Sequence, residues 1–119
     1  MTKAIVVWNE IPTSNLEAAI PFYEKVFGYK LVIDEMPGGR QAIMMGDETS
    51  VGASLYVGQS AEGKGPALHL AIDGKVEDAC TRVTGAGGKV VSEIITIPQG
   101  RFAYALDLDG NRLGLFEAA

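Results

Sequence analysis

The chain has 119 residues, a formal net charge of -5, and 47% hydrophobic against 21% charged residues, a composition typical of one globular domain. The acidic balance argues against a nucleic-acid partner, because phosphate binding needs a basic face. No apolar run approaches the roughly 20 residues that span a bilayer, so we expect no membrane partner. The single cysteine, Cys80, excludes an internal disulfide and favours a cytoplasmic location.

The first part of the chain is predicted to form a strand, a helix and three more strands. Residues 3–11, KAIVVWNEI, are β-branched and apolar, as strands are. Ser14 or Asn15 can cap a helix over LEAAIPFYEKVFG, which Gly28 would end. Pro21 is discordant, since proline inside a helix costs about 3 kcal/mol or bends it. Short strands are predicted at 29–34, 40–46 and 52–58, between turns rich in Gly, Pro and Asp.

The same order then repeats. We predict a strand at 66–73, a helix at 75–88, and strands over KVVSEIITI, RFAYALDL and NRLGLFE. The stretch PGGRQA at 37–42 returns as PQGRFA at 98–103, and Leu16, Ala19 and Gly28 match Val76, Ala79 and Gly88. Two copies at this period indicate a duplicated domain. The prediction is an α+β fold, one domain over 1–119, with two tandem βαβββ modules at about 1–60 and 61–119.

Three segments carry a family resemblance: NLEAAIPFYEKVFGYKL (15–31), GAGGKVV (85–91) and DLDGNRLGLFE (107–117). The sequence resembles the vicinal oxygen chelate superfamily, which includes glyoxalase I, bleomycin- and fosfomycin-resistance proteins and extradiol dioxygenases. Leu108 stands where the family's ending usually has proline. The resemblance implies one curved mixed sheet, helices outside, a concave cleft, and a homodimer whose subunits complete each other's clefts.

Alternation along the strands predicts which side chains face that cleft. Large apolar sets, such as Phe102, Tyr104 and Leu106, are assigned to the helices. The opposite sets are mostly Ala and Gly, which leave volume for a ligand. Val57 and Leu55 are placed in the cleft, and Tyr56 with Ser54 outside it. The cleft residues with chemical character are then Trp8, Glu10, Arg40, Met44, His69, Arg101 and Phe116.

The resemblance also implies where a metal would sit. Its four ligand positions fall on Trp8, roughly Ala53, Gly114, and either Ala67 or His69. Only His69 among these has a metal-binding side chain, so we expect no metal and no cofactor. A displaced metal held by Glu10 and His69 is the alternative, although two protein ligands are few for a divalent ion.

Several of these residues have two possible interpretations. Glu10 could act as a general base if apolar neighbours raise its pKa, or could pair with an arginine. His69 is a catalytic candidate or a hydrogen-bonded wall residue. Arg40 and Arg101 could clamp an anionic group, or could end strands and face solvent. Trp8 could stack on a ligand ring or fill space, while Met44 and Phe116 would line the wall.

Three functions are compatible with this pattern. The first is metal-independent binding of a small organic molecule, as in the bleomycin-resistance type. The second is a lyase-type or isomerase-type enzyme using Glu10 and His69, with or without a displaced metal. The third is an accessory interaction module with a vestigial cleft. The small-residue cleft and the vacated ligand positions favour the first.

Overall fold

The structure, a computed structural model, describes residues 6–36, 39–47 and 50–119. The first half contains β1 (Asn9–Thr13), α1 (Leu16–Phe27), β2 (Val32–Met36), β3 (Gly39–Met44) and β4 (Ala53–Val57). The second half contains β5 (Leu68–Ala71), α2 (Val76–Gly85), β6 (Lys89–Val90), β7 (Ile95–Ile97), β8 (Gly100–Leu106) and β9 (Arg112–Ala118). The predicted α+β order is confirmed, with the strand predicted over KVVSEIITI divided into β6 and β7.

The strands pair into two mixed sheets, one in each half. The first has the order β1-β4-β3-β2, and the second has the order β5-β9-β8-β6 with β7 also paired to β8. In both, the strand before the helix lies parallel to the last strand, and the other pairs are antiparallel. Among the described residues the two sheets are separate, whereas the sequence predicted a single curved sheet.

The first helix begins and ends where local chemistry predicts. Asn15 is its N-cap, and its side chain accepts a hydrogen bond from the Ala18 amide at 3.2 Å. Gly28 ends it in the left-handed conformation, with φ of 77°, which glycine adopts without a Cβ penalty. Pro21 is accommodated inside the helix on its exposed side. The six buried residues recur at helical spacing and face the sheet: Leu16, Ala19, Phe22, Tyr23, Val26 and Phe27.

One layer of core lies between the helices and the sheets. Both helices pack on the same side, because α1 contacts β3 and β4, α2 contacts β8 and β9, and the helices contact each other. Side chains on that side of the strands are almost fully buried: Ile11, Ala42, Met44, Ala53, Leu55, Ala103, Ala105, Leu113 and Leu115. We call the opposite side of the sheets, which the helices leave uncovered, the open face.

The turn between β8 and β9 joins the two halves. Asp107 accepts hydrogen bonds from the buried Tyr23 hydroxyl at 2.7 Å and from the amides of Asp109 and Asn111. Asp109 accepts hydrogen bonds from the Thr13 hydroxyl at 2.5 Å and from the amide and hydroxyl of Ser14, both at 2.7 Å. Burial raises the pKa of its carboxyl, but the hydrogen bonds from Thr13 and Ser14 together hold that pKa below its ordinary value. The D-L-D-G-N segment, predicted as a turn, therefore connects β9 to the start of α1.

Several predicted positions need correction. Residues 6–8 of the predicted first strand lie before β1, which starts at Asn9, and the predicted strand residues 3–5, like Pro37, lie outside the described residues. Leu55 is fully buried on the helix side, although it was assigned to the cleft. The face assignment of β8 is reversed, because Ala103 and Ala105 pack under the helices while Phe102 and Tyr104 occupy the open face. Close packing explains the error, since small residues let α2 approach the sheet.

Candidate functional site

Four aromatic rings form a continuous surface on the open face of the second half. His69 on β5 lies edge-on to Phe102, Tyr104 and Phe116, with ring centroids 5.1, 5.6 and 6.3 Å away. Phe102 and Phe116 lie nearly parallel, at 6.3 Å and 18°. His69 is exposed and the other three are half-buried. We call these four residues the aromatic wall; such ring pairs contribute about 0.5–1.5 kcal/mol beyond burial.

The position of His69 depends on the residue beneath it. His69 and Gly114 are partners in the parallel β5–β9 pair, and the imidazole lies directly over the glycine. A Cβ at position 114 would stand 2.2 Å from His69 Nδ1 and 2.6 Å from its Cε1, closer than atoms approach without bonding. Gly114 therefore provides the space in which the histidine ring meets the other three.

Arg112 extends the wall with a positive charge. Its guanidinium carbon lies 4.3 Å from the centroid of the Tyr104 ring, which is cation–π geometry. Arg112 opens β9, two residues before Gly114, so alternation places it on the open face as well. Among the described residues it has no ion-pair partner within 4.0 Å.

Two cavities lie where the first half meets the second, one beside His69 of the aromatic wall and the other beside Arg112. One, of about 430 Å³, is bordered by His69, Leu70 and Ala71 of β5, by Tyr29, and by the β3–β4 connection. Its Tyr29 hydroxyl donates to the Ala71 carbonyl, and burial and then Asp73 raise the pKa of that phenol to about 12. The other cavity, of about 330 Å³, has Glu10, Gln59 and Arg112 around it.

The open face of the first half is built from different residues. Glu10 is paired with Ser54 across β1 and β4 and is exposed. Trp8 lies just before β1, is 38% exposed, and donates from its indole nitrogen to the Ser54 hydroxyl at 3.3 Å. Trp8 and Glu10 therefore lie on the same side of β4 as Ser54, and their part in a site stays a prediction. Glu10 borders the smaller cavity and His69 the larger one, so the two catalytic candidates lie on different cavities.

The repeated arginines lie on the helix side, contrary to their predicted place in the cleft. Arg101 forms a two-pronged contact with Glu77 of α2, 2.9 Å at each nitrogen, and a 2.6 Å contact with Glu117. Glu117 also accepts from the first amide of α2, at Val76. The Arg101 hydrogen bonds lower the pKa of Glu77 to about 2. The bidentate ion pair between Arg101 and Glu77 thus links β8 to the beginning of α2.

Arg40 repeats this arrangement in the first half, less tightly. It contacts Glu17 of α1 at 3.3 Å and Glu35 of β2 at 3.4 Å. The exposed fractions of the Arg40 and Glu17 side chains are 48% and 72%, so this pair stabilises little. The repeated PxGRxA pattern therefore encodes a link from strand to helix in each half.

The remaining predicted residues divide between core and wall. Met44 is 4% exposed on the helix side, so it belongs to the core, although its edge reaches the larger cavity. Phe116 is one of the four residues of the aromatic wall, and its contact with a ligand stays a prediction. Cys80 is half-buried, and burial raises the pKa of its thiol.

The residues at the family's ligand positions do not fit a four-ligand metal. Gly114 has no side chain, the His69 ring fills the space above it, and Ala53 faces the helices. Trp8 donates its indole N–H to Ser54, and an indole is not a metal ligand in proteins. Within the described ranges, no group of three or more His, Cys, Asp or Glu side chains is placed to hold an ion.

Sequence reasoning missed two residues of the aromatic wall, Phe102 and Tyr104, and it also missed Arg112, which lies over the Tyr104 ring. A usable signal was present, since Glu17 and Glu77 recur in the first turns of the two helices, just as Arg40 and Arg101 recur on the strands. Pairing those charges places both arginines under the helices. Alternation from Arg101 then puts Phe102 and Tyr104 on the open face.

Comparison with known proteins gives a family and several similar structures. The model of the Glyoxalase/Bleomycin resistance protein/Dioxygenase superfamily matches residues 5–115. TnmS3, an antibiotic binding protein from Streptomyces sp. CB03234, is 26% identical, with a TM-score of 0.73 over 100% of this chain and 99% of that one. A glyoxalase/bleomycin resistance protein from the same organism is 27% identical, with a TM-score of 0.71 over 92% and 96%.

The curated relatives are longer than this chain. The CFP32 protein of Mycobacterium tuberculosis is 27% identical over 107 residues, which are 88% of this chain and 41% of that protein. The chain therefore spans about two fifths of the length of the curated relatives it matches. Across the described residues, neither helix is both long and apolar enough to cross a membrane.

Proposed function

Because the chain belongs to the glyoxalase/bleomycin resistance protein/dioxygenase superfamily, we propose that it binds a small, partly flat organic molecule on the open face of its second half, without a metal. The observation that carries the proposal is the aromatic wall, whose four rings converge without being covered by a helix. The antibiotic-binding relative TnmS3 supports the same class of activity.

The physical argument concerns what the wall can offer a ligand. Exposed rings at this spacing present flat apolar area together with ring edges, so a planar molecule can stack on one ring and meet the edge of another. The larger cavity supplies room for substituents beside His69, and the smaller one supplies room beside Arg112. Binding sites for small molecules are commonly apolar and aromatic, with a few polar groups that fix orientation.

The test is the binding of phenylnaphthylamine, a neutral and partly flat aromatic probe, measured by isothermal titration calorimetry. We expect saturable binding that weakens about threefold to tenfold in Phe116→Ala, since one ring contact is lost. Leu108→Ala is the control, because it truncates an exposed apolar residue in the β8–β9 turn, outside the wall. Equal binding by the two variants and the parent protein would place the probe elsewhere and refute the proposal.

The assembly and its location are proposed with it. We infer a homodimer in the cytoplasm, supported by the lone free thiol of Cys80 and by the edge strand β2, where Val32 is 61% and Ile33 is 39% exposed. Sedimentation equilibrium should give twice the 12.6 kDa chain mass, and Val32→Lys should favour the monomer. A 12.6 kDa species alone at micromolar concentration would exclude the dimer.

A further inference from the structure

Arg112 differs from the other three arginines of the chain. Arg40 and Arg101 are occupied by carboxylates on the helix side, and Arg82 donates to the Val26 carbonyl at 2.8 Å. Arg112 has only the face of Tyr104 as a described partner, and it borders the smaller cavity. Stacking on a ring leaves the N–H groups at the guanidinium edge available, because they point outward in the plane of the group.

We propose that Arg112 is the specificity-determining residue of the site and that its ligand is a planar aromatic molecule carrying one acidic group. The inference rests on the proposed function and adds the ligand's charge. The ring would lie on the aromatic wall, and the acidic group would accept hydrogen bonds from the guanidinium edge. The Tyr104 ring restrains the guanidinium, whose carbon lies 4.3 Å from the ring centroid, so the ligand orders less of a long side chain.

The surrounding charges limit the ligand to a single acidic group. Glu10 is the other charged residue described around the same cavity, and Asn9, Gln59 and Asn111 are neutral. Glu10 has no ion-pair partner in the described ranges, so its carboxylate disfavours a second negative group and favours a hydroxyl or amine on the ligand. The net charge of -5 opposes anions at long range, but screening over about 8 Å leaves the local guanidinium in control.

The test compares two probes that share one aromatic frame: anilinonaphthalenesulfonate, which is anionic, and phenylnaphthylamine, which is neutral. The parent protein should bind the sulfonate about tenfold more tightly, the low end for a charge-assisted hydrogen bond. Arg112→Gln should remove that preference while changing the affinity of the neutral probe less than about twofold. Arg112→Lys, which keeps the charge but cannot stack as a plane, should retain part of the preference.

The control is Arg40→Gln, which removes the same charge on the helix side and should leave both affinities unchanged. Equal affinities of the parent protein for the two probes would overturn the role of Arg112 while leaving the proposed function intact. Equal weakening of both probes by Arg112→Gln would also overturn it, since Arg112 would then act only by supporting Tyr104. If the parent protein binds neither probe, the proposed function fails and this inference fails with it.

Discussion

Replacing Gly114 by alanine should dismantle the aromatic wall while leaving the fold intact. The new Cβ would stand 2.2 Å from His69 Nδ1, 2.6 Å from Cε1 and 2.7 Å from Cγ. The imidazole must therefore rotate away from β9. His69 is exposed and can do so, and glycine in a strand already costs about 0.5–1 kcal/mol relative to alanine. The net change in unfolding free energy should consequently lie within about 1 kcal/mol of zero.

Binding should respond more strongly than stability. His69 meets three rings, and losing one ring contact to the ligand corresponds to about a twofold to tenfold weaker affinity. The assay combines calorimetric titration with phenylnaphthylamine and the NMR shifts of the His69 ring protons. Gly85→Ala is the control, because a Cβ there meets nothing within 4 Å. In a His69→Ala background, Gly114→Ala should have no further effect on binding.

Unchanged His69 ring shifts and unchanged affinity in Gly114→Ala would refute this reasoning, because the imidazole could not then lie over position 114. A large loss of stability would also contradict it, since the histidine would then be fixed rather than free to rotate.

Three further predictions concern the helix side. Arg101→Ala should lower the thermal unfolding midpoint more than Arg40→Ala. The pKa of Glu77 is lowered from 4.5 to about 2 in the folded state. The difference between the two midpoints should therefore be fully present above pH 4.5 and disappear as the pH falls through about 2. Tyr23→Phe should lower the free energy of unfolding, measured by urea denaturation, by roughly 1–3 kcal/mol. The reason is that Asp107, which is 6% exposed, loses the hydrogen bond donated by the buried Tyr23 hydroxyl. Cys80 should react with a thiol reagent at neutral pH several-fold more slowly than free cysteine, because burial raises the pKa of its thiol.

The sequence predicted the elements well because local signals agree there. The Asn15 cap, the Gly28 stop and the apolar spacing of α1 all indicate the same helix, and the structure has it. The repeat predicted two similar halves, and the strand order follows it. Pro21 would have argued against the helix, but the six buried side chains of α1 outweigh a single missing backbone hydrogen bond.

The site residues were harder to predict from the sequence than the elements were. Alternation along a strand separates its two faces but does not show which face the helices cover. In β8, bulky Phe102 and Tyr104 were assigned to the core, yet Ala103 and Ala105 are fully buried against α2. Side-chain size therefore predicted the wrong face in β8, because small residues lie on the side of the strand that α2 approaches closely. In β5 and β9 the apolar Leu pairs indicated the helix side, and His69 and Phe116 lie on the opposite, open face; their part in a site stays a prediction.

The central claim, that the open face of the second half binds a planar molecule, is tested most directly by intermolecular NOEs. With anilinonaphthalenesulfonate bound to the protein, we predict NOEs from the probe's ring protons to ring protons of the aromatic wall, His69, Phe102, Tyr104 and Phe116. NOEs confined to residues of the helix side, or to Tyr29 in the larger cavity, would contradict the claim.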